Sequence, residues 1–371
     1  MNISRNVLDA HSNFSTLRRT HPVRRPELPV TLRDIAREVG VSITTVSRAL
    51  AGYGDVASET RQRVEQVAGQ LGYSPNLTAR RLQKQRTDTL GFIIPTYGAR
   101  FSDPFFSEFI AGLGNTAADH DYDLLVSTHA PDSQRERNAY HQAVQGGWVD
   151  GLIVVRTRVN DDRIRLLYEA NFPFVAFGRT NGNNTFPYVD EDSEAGMKML
   201  VEHFLALGHR RIGFITPPTD LMFGCLRLQG FQQTMSANGL QVNPEWVISG
   251  DMTQRSGAEA AEKLLALESV PTAIIAGNDL MAIGAMSHLQ QRGYEIARDF
   301  SIGGFDDILP AAHTNPPLTT VRQPIYDIAR TICEMLIEIL NGERLDSRQK
   351  LLTPTIVVRG STGSPRADSF V

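Results

Sequence analysis

The sequence of 371 residues is poor in cysteine and has no long apolar run. Its two cysteines, Cys225 and Cys333, lie far apart, with no CxxC motif and no neighbouring His at metal-ligand spacing. This excludes a disulfide framework or a zinc module and fits a reducing cytosol. No apolar run approaches the roughly 18 residues that a membrane span needs, and the N-terminus lacks the apolar region of a signal peptide. We therefore expect a cytoplasmic protein that does not bind membranes.

The motifs of several enzyme classes are also missing. The sequence contains no G-x-x-x-x-G-K-[ST], no G-x-S-x-G and no H-E-x-x-H. Residues 112–117, GLGNTA, formally fit a dinucleotide fingerprint, but the apolar residues around them have helical spacing and no strand directly precedes the first glycine. His203 and His209 flank a predicted helix end and are interpreted as surface residues. These observations predict no catalytic activity, no cofactor and no metal.

Length and charge divide the chain into a small basic part and a larger acidic part. At 371 residues, two or three domains are expected. Residues 1–86 hold 14 Lys and Arg against 7 Asp and Glu, whereas the remaining 285 residues hold 23 against 34. A basic head on an acidic body indicates a nucleic-acid module joined to a part that does not contact nucleic acid. Uneven surface charge without functional meaning is the alternative.

Three short helices are predicted in the basic head. The first begins after Thr31 and ends at Gly40. Ser42 caps a second helix, and a third runs from Ser58 to its stop at Gly72. Three helices, the first two joined by a Gly-containing turn, make a helix-turn-helix unit. The apolar residues with amphipathic spacing, expected in its core, are Leu32, Ile35, Ala36, Val39, Val46, Ala49, Leu50, Val64, Val67, Ala68 and Leu71.

The stretch GVSITTVSR (40–48) supports a DNA-binding role for this unit. Its β-branched residues, Ile43 to Val46, are poor helix formers at the head of the second helix. In a helix-turn-helix unit this helix lies in the major groove, with its N-terminal residues against bases and phosphates. Ile43 and Thr44 would face thymine methyl groups and base edges, and Arg48 would reach a guanine or a phosphate. A capped surface helix in a small bundle is the alternative.

Beyond about residue 88, apolar strands alternate with amphipathic helices. This rhythm predicts parallel sheets with helices on both faces. LGFIIP and RIGFITPP are similar openings, which indicates two like subdomains. In open α/β sheets ligands lie at the carboxyl ends of strands, so the loops that follow the strands are the candidate binding site. The predicted strands are TLGFIIP (89–95), YDLLVST (122–128), GLIVV (151–155), FVAFG (174–178), RRIGFIT (210–216), AIIAG (273–277) and SIGGF (301–305).

Together these motifs resemble the lactose-repressor (LacI-type) family of transcriptional regulators. VTLRDIAREVGVSITTVSRAL (30–50) is similar to the family's helix-turn-helix nearly position by position, and YSPNLTARRL (73–82) continues the similarity. The resemblance covers about residues 30–360. The body motifs that carry it, in the family's order, are GFIIP, VDGLIV, LGHRRIGFI, RLQGF, PTAIIAGNDLMAIGAM, GGFDD and PPLTTVRQP.

The resemblance implies an all-α helix-turn-helix head and an α/β body similar to periplasmic binding proteins. The body would consist of two doubly wound parallel-sheet subdomains crossed by three strands, with the ligand in the cleft between them. The implied domains are the helix-turn-helix domain (30–75), a hinge helix and linker (76–87), an effector-binding and dimerisation body (88–360) and a tail (361–371). Residues 1–29 precede the family's usual start and lack periodicity, so they are expected to be a disordered extension. The first subdomain is expected over about 88–189 and 308–342, and the second over about 190–307 and 343–360. A DNA-contacting arm and a misplaced start codon are alternatives for the extension.

The resemblance also implies the residues that contact DNA. Asn76–Gln83 matches the family's hinge helix, which pairs in a dimer on the minor groove of the operator. By that match Leu82 is the wedge at the central base step and Ala79 lies against the groove floor. An ordinary linker whose leucine packs on the body is the alternative. The implied DNA-binding residues are Thr31, Ser42, Ile43, Thr44, Thr45, Ser47, Arg48, Ala79, Arg80 and Leu82.

A second set of residues is expected to bind the effector. The loop after the first strand carries Asp103 and the adjacent aromatics Phe105 and Phe106, which suit the apolar face and the hydroxyls of a sugar. A hydrophobic pair at a helix start is the alternative. Arg227, in RLQGF, and Asp279, in GNDLMAIGA, match the family's effector-binding arginine and aspartate. The set is completed by Arg156, for which an ordinary surface charge is the alternative.

The favoured function is therefore a dimeric, sequence-specific DNA-binding regulator of transcription, a repressor controlled by a small effector. The expected partners are double-stranded operator DNA, a second copy of the chain and a mono- or disaccharide. The alternative is a sugar-binding protein or an α/β enzyme that carries an accessory basic head. The missing signal peptide speaks against an exported sugar carrier, and the lack of a convergent catalytic set speaks against an enzyme.

Overall fold

The structure is a computed structural model that describes residues 30–73, 86–96, 103–182, 185–343 and 348–366. Contacts between residues divide the chain into two units, residues 1–80 and 81–371, called the head and the body below. The predicted N-terminal extension and the predicted hinge helix lie outside the described residues.

The described part of the head consists of the helices α1 (Leu32–Val39), α2 (Ile43–Leu50) and α3 (Ser58–Leu71). Gly40 and Gly72, which follow α1 and α3, have left-handed backbone conformations with φ of 77° and 64°. Glycine adopts this conformation without a steric penalty, which explains both helix ends. The three predicted helices are confirmed.

The head has an apolar core of its own. Ile35, Val46 and Val64, one from each helix, are fully buried. The prediction that Leu71 is buried is wrong, because its side chain is 39% exposed. Leu71 has the helical spacing of the buried residues Val64 and Ala68, but it is the last residue of the longest helix and the two shorter helices do not cover it.

The described body contains twelve strands and eight α-helices, together with short 3-10 helices at Pro244–Trp246 and Leu309–His313. The strands are β1 (Thr89–Pro95), β2 (Asp123–His129), β3 (Gly151–Val154), β4 (Phe174–Phe177), β5 (Tyr188–Glu191), β6 (Ile212–Thr216), β7 (Val247–Ser249), β8 (Ala273–Ala276), β9 (Ser301–Asp306), β10 (Thr319–Arg322), β11 (Gln349–Leu352) and β12 (Thr355–Val357). The helices are α4 (Pro104–Asp119), α5 (Gln134–Gly146), α6 (Asp162–Glu169), α7 (Ser193–Ala206), α8 (Met222–Ala237), α9 (Gln254–Leu265), α10 (Asp279–Gln291) and α11 (Ile325–Leu340).

The strands form two six-stranded sheets. The first has the order β11-β5-β4-β3-β1-β2 and is parallel throughout. The second has the order β12-β10-β9-β8-β6-β7, in which only β12 is antiparallel to its neighbour. The two sheets define the first and second subdomains, and the predicted pair of parallel-sheet subdomains is confirmed.

The chain passes between the subdomains three times. It crosses after β5, after β10 and between β11 and β12. The predicted bounds are wrong at two strands: β10 (319–322) pairs in the second sheet although 308–342 is assigned to the first subdomain, and β11 (349–352) pairs in the first sheet although 343–360 is assigned to the second. Both strands are short and half polar, so their pairing depends on distant partners that local pattern does not reveal.

The central strands of each sheet are buried on both faces, as expected for a parallel sheet covered by helices. In β1, alternation sends Phe92 to the face covered by α4 and α11, and sends Ile93 to the face covered by α5. In the second subdomain Ile274 packs toward α9 and α10, whereas Ile275 packs toward α7 and α8. These layers place the carboxyl ends of both sets of strands around one cleft.

Other predictions have mixed outcomes. All seven predicted strands are confirmed, whereas β5, β7, β10, β11 and β12 are not predicted. The formal dinucleotide fingerprint at 112–117 lies inside α4, as its helical spacing indicates. The interpretation of His209 as a surface residue is wrong, because it is buried among Thr272, Ser301 and Gly363. In the described ranges no helix is both long enough and apolar enough to cross a membrane.

Candidate functional site

The N-terminal part of α2 is the candidate DNA-contacting surface of the head. The hydroxyl of Ser42 accepts a hydrogen bond from the amide of Thr45 at 3.0 Å and lies 2.8 Å from the Thr45 hydroxyl. This cap lets the β-branched residues begin a helix. The side chain of Ile43 is 43% exposed and that of Thr44 is exposed as well, so both are free of the head core, as expected.

Two other predicted DNA-contacting residues have partners within the head. Arg48 forms an ion pair with Asp55, and its guanidinium carbon lies 4.9 Å from the centre of the Tyr53 ring. The Thr31 hydroxyl and amide both donate to the Asp34 carboxylate, and these hydrogen bonds lower the pKa of Asp34. Arg48 must therefore leave Asp55, or share it, to contact DNA.

The remaining predicted DNA-contacting residues divide into two groups. Ser47 is half-buried on α2, beside the fully buried Val46. The hinge residues Ala79, Arg80 and Leu82 lie outside the described residues.

A cavity lies in the body at the carboxyl ends of the strands of both sheets. It contains about 570 Å³ of space that no atom occupies, part of it open to solvent. Five of the six predicted effector-binding residues line it: Asp103, Phe105, Phe106, Arg156 and Arg227. The lining residues that the sequence analysis did not single out are Val155, Thr157, Phe177, Gly178, Asp190, Glu191, Phe223, Met252, Asn278, Asp306 and Gln323.

Aromatic rings form one wall of this cavity. The ring of Phe105 stacks on that of Phe177 with centroids 5.9 Å apart and an interplanar angle of 6°. Phe106 packs edge-on against Phe105 and is almost fully buried. Phe105 and Phe106, in the first turn of α4, both contribute to the wall, so the pair is more than a hydrophobic helix start. Such rings offer flat apolar faces to a ligand.

Asp103 and Arg156 form an ion pair at the edge of the wall. The carboxylate of Asp103 caps α4 by accepting from the amide of Phe105 at 3.1 Å, and it accepts from Arg156 at 2.7 Å. Burial raises the pKa of Asp103, and Arg156 opposes that shift. Arg156 has a left-handed backbone conformation with φ of 50°. It is therefore not an ordinary surface charge, because it lines the cavity over the ring of Phe106.

Arg227 lies at the centre of the polar half of the cavity. It donates to Glu191 at 2.8 Å, to the carbonyl oxygen of Gly277 at 2.5 Å and, at 3.5 Å, to Asp306. Its guanidinium carbon lies 3.7 Å from the centre of the Phe305 ring. These contacts hold the side chain, which is nearly fully buried, in one orientation.

Asp279, the sixth predicted residue, does not line the cavity, and this part of the predicted effector site is wrong. Its carboxyl group is fully buried and accepts from the Thr320 hydroxyl at 2.5 Å and from the amide of Ile308 at 2.9 Å. Asp279 therefore braces the segment that follows Asp306. Asp306 is the aspartate that reaches the cavity, at the end of β9.

Two of the missed carboxyl groups have strongly shifted pKa values. Burial raises the pKa of Asp306 to about 7, against the opposing effect of Arg227. Burial, followed by repulsion from Glu191, raises the pKa of Asp190 to about 7, against the opposing effect of Arg179. Asp306 is the last residue of β9 and Asp190 is the last but one of β5, and these positions near the carboxyl ends of strands were the available signal.

Three buried polar atoms, each on a side chain that lines the cavity, have no hydrogen-bond partner among the described residues. They are Oε2 of Glu191, Oε1 of Gln323 and Nε of Arg227. Buried polar atoms are nearly always paired in folded proteins, and leaving one unpaired costs about 1–3 kcal/mol. Two acceptors and one donor on the lining side chains are therefore unsatisfied, and a hydroxylated ligand offers the complementary groups. Among the described residues, no group of three or more His, Cys, Asp or Glu side chains is placed to hold a metal ion.

Comparisons with known proteins agree with this arrangement. Residues 31–76 match the family described as "Bacterial regulatory proteins, lacI family", and residues 201–362 match "Periplasmic binding protein-like domain". The chain is 33% identical over 340 residues to the HTH-type transcriptional repressor CytR of Escherichia coli (strain K12), a match that covers 91% of this chain and 98% of CytR.

Two solved structures are also similar. A complex of the transcriptional regulator CelR with cellobiose has a TM-score of 0.70 and 29% identity, covering 90% of this chain and 99% of CelR. The lac repressor dimer bound to operator and the anti-inducer ONPF has a TM-score of 0.81 and 27% identity, covering 91% of this chain and 100% of the repressor chain. A DNA-binding head on a ligand-binding body of this fold defines an effector-controlled regulator of transcription. The chain belongs to the lacI family of bacterial regulatory proteins.

Proposed function

We propose that the protein binds an operator as a homodimer, represses transcription there, and changes its operator affinity when a neutral sugar binds in the cavity. The observation that carries the effector class is the pairing of aromatic faces with open polar atoms: the Phe105–Phe177 stack lies in the same cavity as the unpartnered atoms of Glu191, Gln323 and Arg227. A sugar presents an apolar ring face and several hydroxyls, each able to donate and to accept.

The relatives support the same reading. One similar structure is a complex with cellobiose, and another is a dimer on its operator. A repressor acts where bacterial DNA lies, so the proposed location is the cytoplasm. The cavity groups hold and orient a ligand, and the proposed role is binding without catalysis.

A saccharide screen tests the effector. Thermal unfolding of the full chain is measured with a panel of neutral mono- and disaccharides that includes cellobiose. At least one sugar is expected to raise the unfolding temperature, because a ligand that binds only the folded state stabilises it by an amount that grows with the ratio of ligand concentration to Kd. Phe177→Ala, which removes part of the aromatic wall, should lose the shift. Tyr168→Ala, at an exposed aromatic outside the cavity, is the matched control and should keep it.

An operator-binding assay tests the DNA-contacting surface. Thr44→Ala and Arg48→Ala should each weaken binding to a selected palindromic duplex by about 1–3 kcal/mol, the range for one specific base contact. Arg165→Ala, at an exposed arginine of the body, is the control and should bind like the wild type. Wild-type affinity in both head variants would contradict the proposed use of α2.

A further inference from the structure

One ion pair in the cavity joins the two subdomains. Glu191 ends β5 of the first sheet, and Arg227 lies on α8, which covers the second sheet. Nη2 of Arg227 donates to Oε1 of Glu191 at 2.8 Å, and both side chains are at most 3% exposed. A ligand that contacts both residues therefore contacts both subdomains.

The pair uses only part of its hydrogen-bonding capacity. Oε1 of Glu191 also accepts from the hydroxyl of Ser193 at 2.7 Å, and Nη1 of Arg227 donates to Gly277 and Asp306. Oε2 of Glu191 and Nε of Arg227 remain without a partner among the residues that the structure describes, although both atoms are buried. One open acceptor and one open donor thus belong to a single ion pair.

The local charge decides which ligand group fits there. The carboxyl group of Asp190 precedes Glu191 in the chain and also lines the cavity, and Asp306 lies on the far side of Arg227. Glu191 and Asp306 thus flank the guanidinium of Arg227, whereas Asp190 is paired with Arg179. An anionic ligand group beside Oε2 of Glu191 would face the carboxylate of this ion pair at short range, and like-charge contacts of this kind are used by specific sites to reject the wrong partner.

We infer that Glu191 determines the specificity of the cavity: with Arg227 it recognises two neighbouring oxygens of the ligand, one a hydroxyl that donates to Glu191 Oε2 and the other an acceptor for Arg227 Nε. This inference rests on the proposed sugar effector and names the feature that is read, a vicinal diol without a phosphate or carboxylate on it.

The test is a thermodynamic cycle that combines the loss of the Glu191 carboxylate with the loss of one ligand hydroxyl. A sugar that binds in the screen is compared with its monodeoxy analogues by titration calorimetry on the full-length wild type and on Glu191→Gln. For at least one hydroxyl position, removal should weaken wild-type binding about ten- to a hundredfold, the scale of a hydrogen bond to a charged group. The same removal should change binding to Glu191→Gln by less than about threefold, because the interaction is already absent.

The controls separate this inference from the proposed function. Glu194→Gln removes a neighbouring carboxylate that does not line the cavity, and it should keep the wild-type pattern. If Glu191→Gln fails to unfold cooperatively, Glu191→Asp, which withdraws the carboxylate by one methylene, is judged by the same criterion. Equal losses on wild type and variant at every hydroxyl position overturn the role of Glu191 alone. Failure of every saccharide to bind the wild type overturns the sugar effector and this inference with it.

Discussion

Asp306 and Asp190 are buried carboxyl groups whose pKa values are raised to about 7, mainly by burial. An aspartate in an unfolded chain has a pKa near 3.9. Between about pH 4 and pH 7 the folded body therefore holds protons that the unfolded chain has released. By linkage, these groups make the body lose stability as pH rises through that window, and the loss is complete above it.

Asp306→Asn should reduce the loss of folding stability that occurs as pH rises. The amide keeps an oxygen for the 2.6 Å hydrogen bond from Gln323 but has no proton to lose. The unfolding temperature of the variant minus that of the wild type should therefore increase from pH 5 to pH 8, measured on the ligand-free protein. Asp162→Asn, at an exposed carboxylate that pairs with the exposed Arg165, is the control. Parallel curves for Asp306→Asn and wild type would contradict the buried, proton-holding state.

The same residues show how far sequence reasoning reaches at this scale. Asp279 and Asp306 both follow buried strands, and both lie in motifs of the expected family. Only the structure separates them: Asn278 caps α10, and Asp279 then turns inward to Thr320, whereas the end of β9 directs Asp306 into the cavity. The choice between two adjacent strand ends depends on side-chain direction, which spacing alone does not encode. Glu191 was missed because β5 has only four residues and carries two acids.

At the scale of elements, two loops from different subdomains pair across the cleft. The Val159 amide donates to the carbonyl oxygen of Asp220, and the Met222 amide donates to the carbonyl oxygen of Thr157, both at 2.8 Å. These hydrogen bonds flank an antiparallel β-bridge between Arg158 and Leu221. The first loop is fixed from behind by Arg163, which donates to the carbonyl oxygens of residues 155 and 156. The chain crosses between the subdomains near the β5–β11 and β10–β12 edges of the sheets. If the cleft opens by rotation about these crossings, the two paired loops must separate.

Met222→Pro isolates this contact. Met222 is the first residue of α8, where a helix does not need the amide and proline is well tolerated, and Leu221 before it is already extended at φ −84° and ψ 133°. The variant loses one hydrogen bond across the cleft, about 1 kcal/mol, so amide exchange in residues 156–161 should accelerate about fivefold. Gln254→Pro, at the exposed first residue of α9, is the matched control. Unchanged exchange in Met222→Pro would mean that the loops are held by other contacts.

Elements were predicted well where their pattern is local. Long apolar strands such as β1 and capped helices such as α2 follow from spacing and end signals within a dozen residues. β10, β11 and β12 have three or four residues each and owe their conformation to partners in other parts of the chain. For that reason the two-subdomain plan could be predicted, whereas the strands that complete each sheet could not.

At the scale of the whole molecule, the regulator must link two binding events in separate units of one chain. Arg48 and the exposed start of α2 belong to the head, whereas Glu191, Arg227 and Asp306 belong to the body. A ligand changes operator affinity only through its different affinity for two states of the protein. The effect must therefore be reciprocal: operator binding changes sugar affinity by the same factor.

Reciprocity gives the last prediction. Operator affinity is measured by gel shift with and without saturating sugar, and sugar affinity is measured by calorimetry with and without saturating operator duplex. The two ratios should agree and lie between about 5 and 150, the usual range of coupling between sites. A scrambled duplex of equal length, at the same salt concentration because phosphate contacts are salt-dependent, should leave sugar affinity closer to its DNA-free value. If both affinity ratios equal one, the cavity binds a sugar without controlling the head. A ligand with equal affinity for two states does not shift the equilibrium between them.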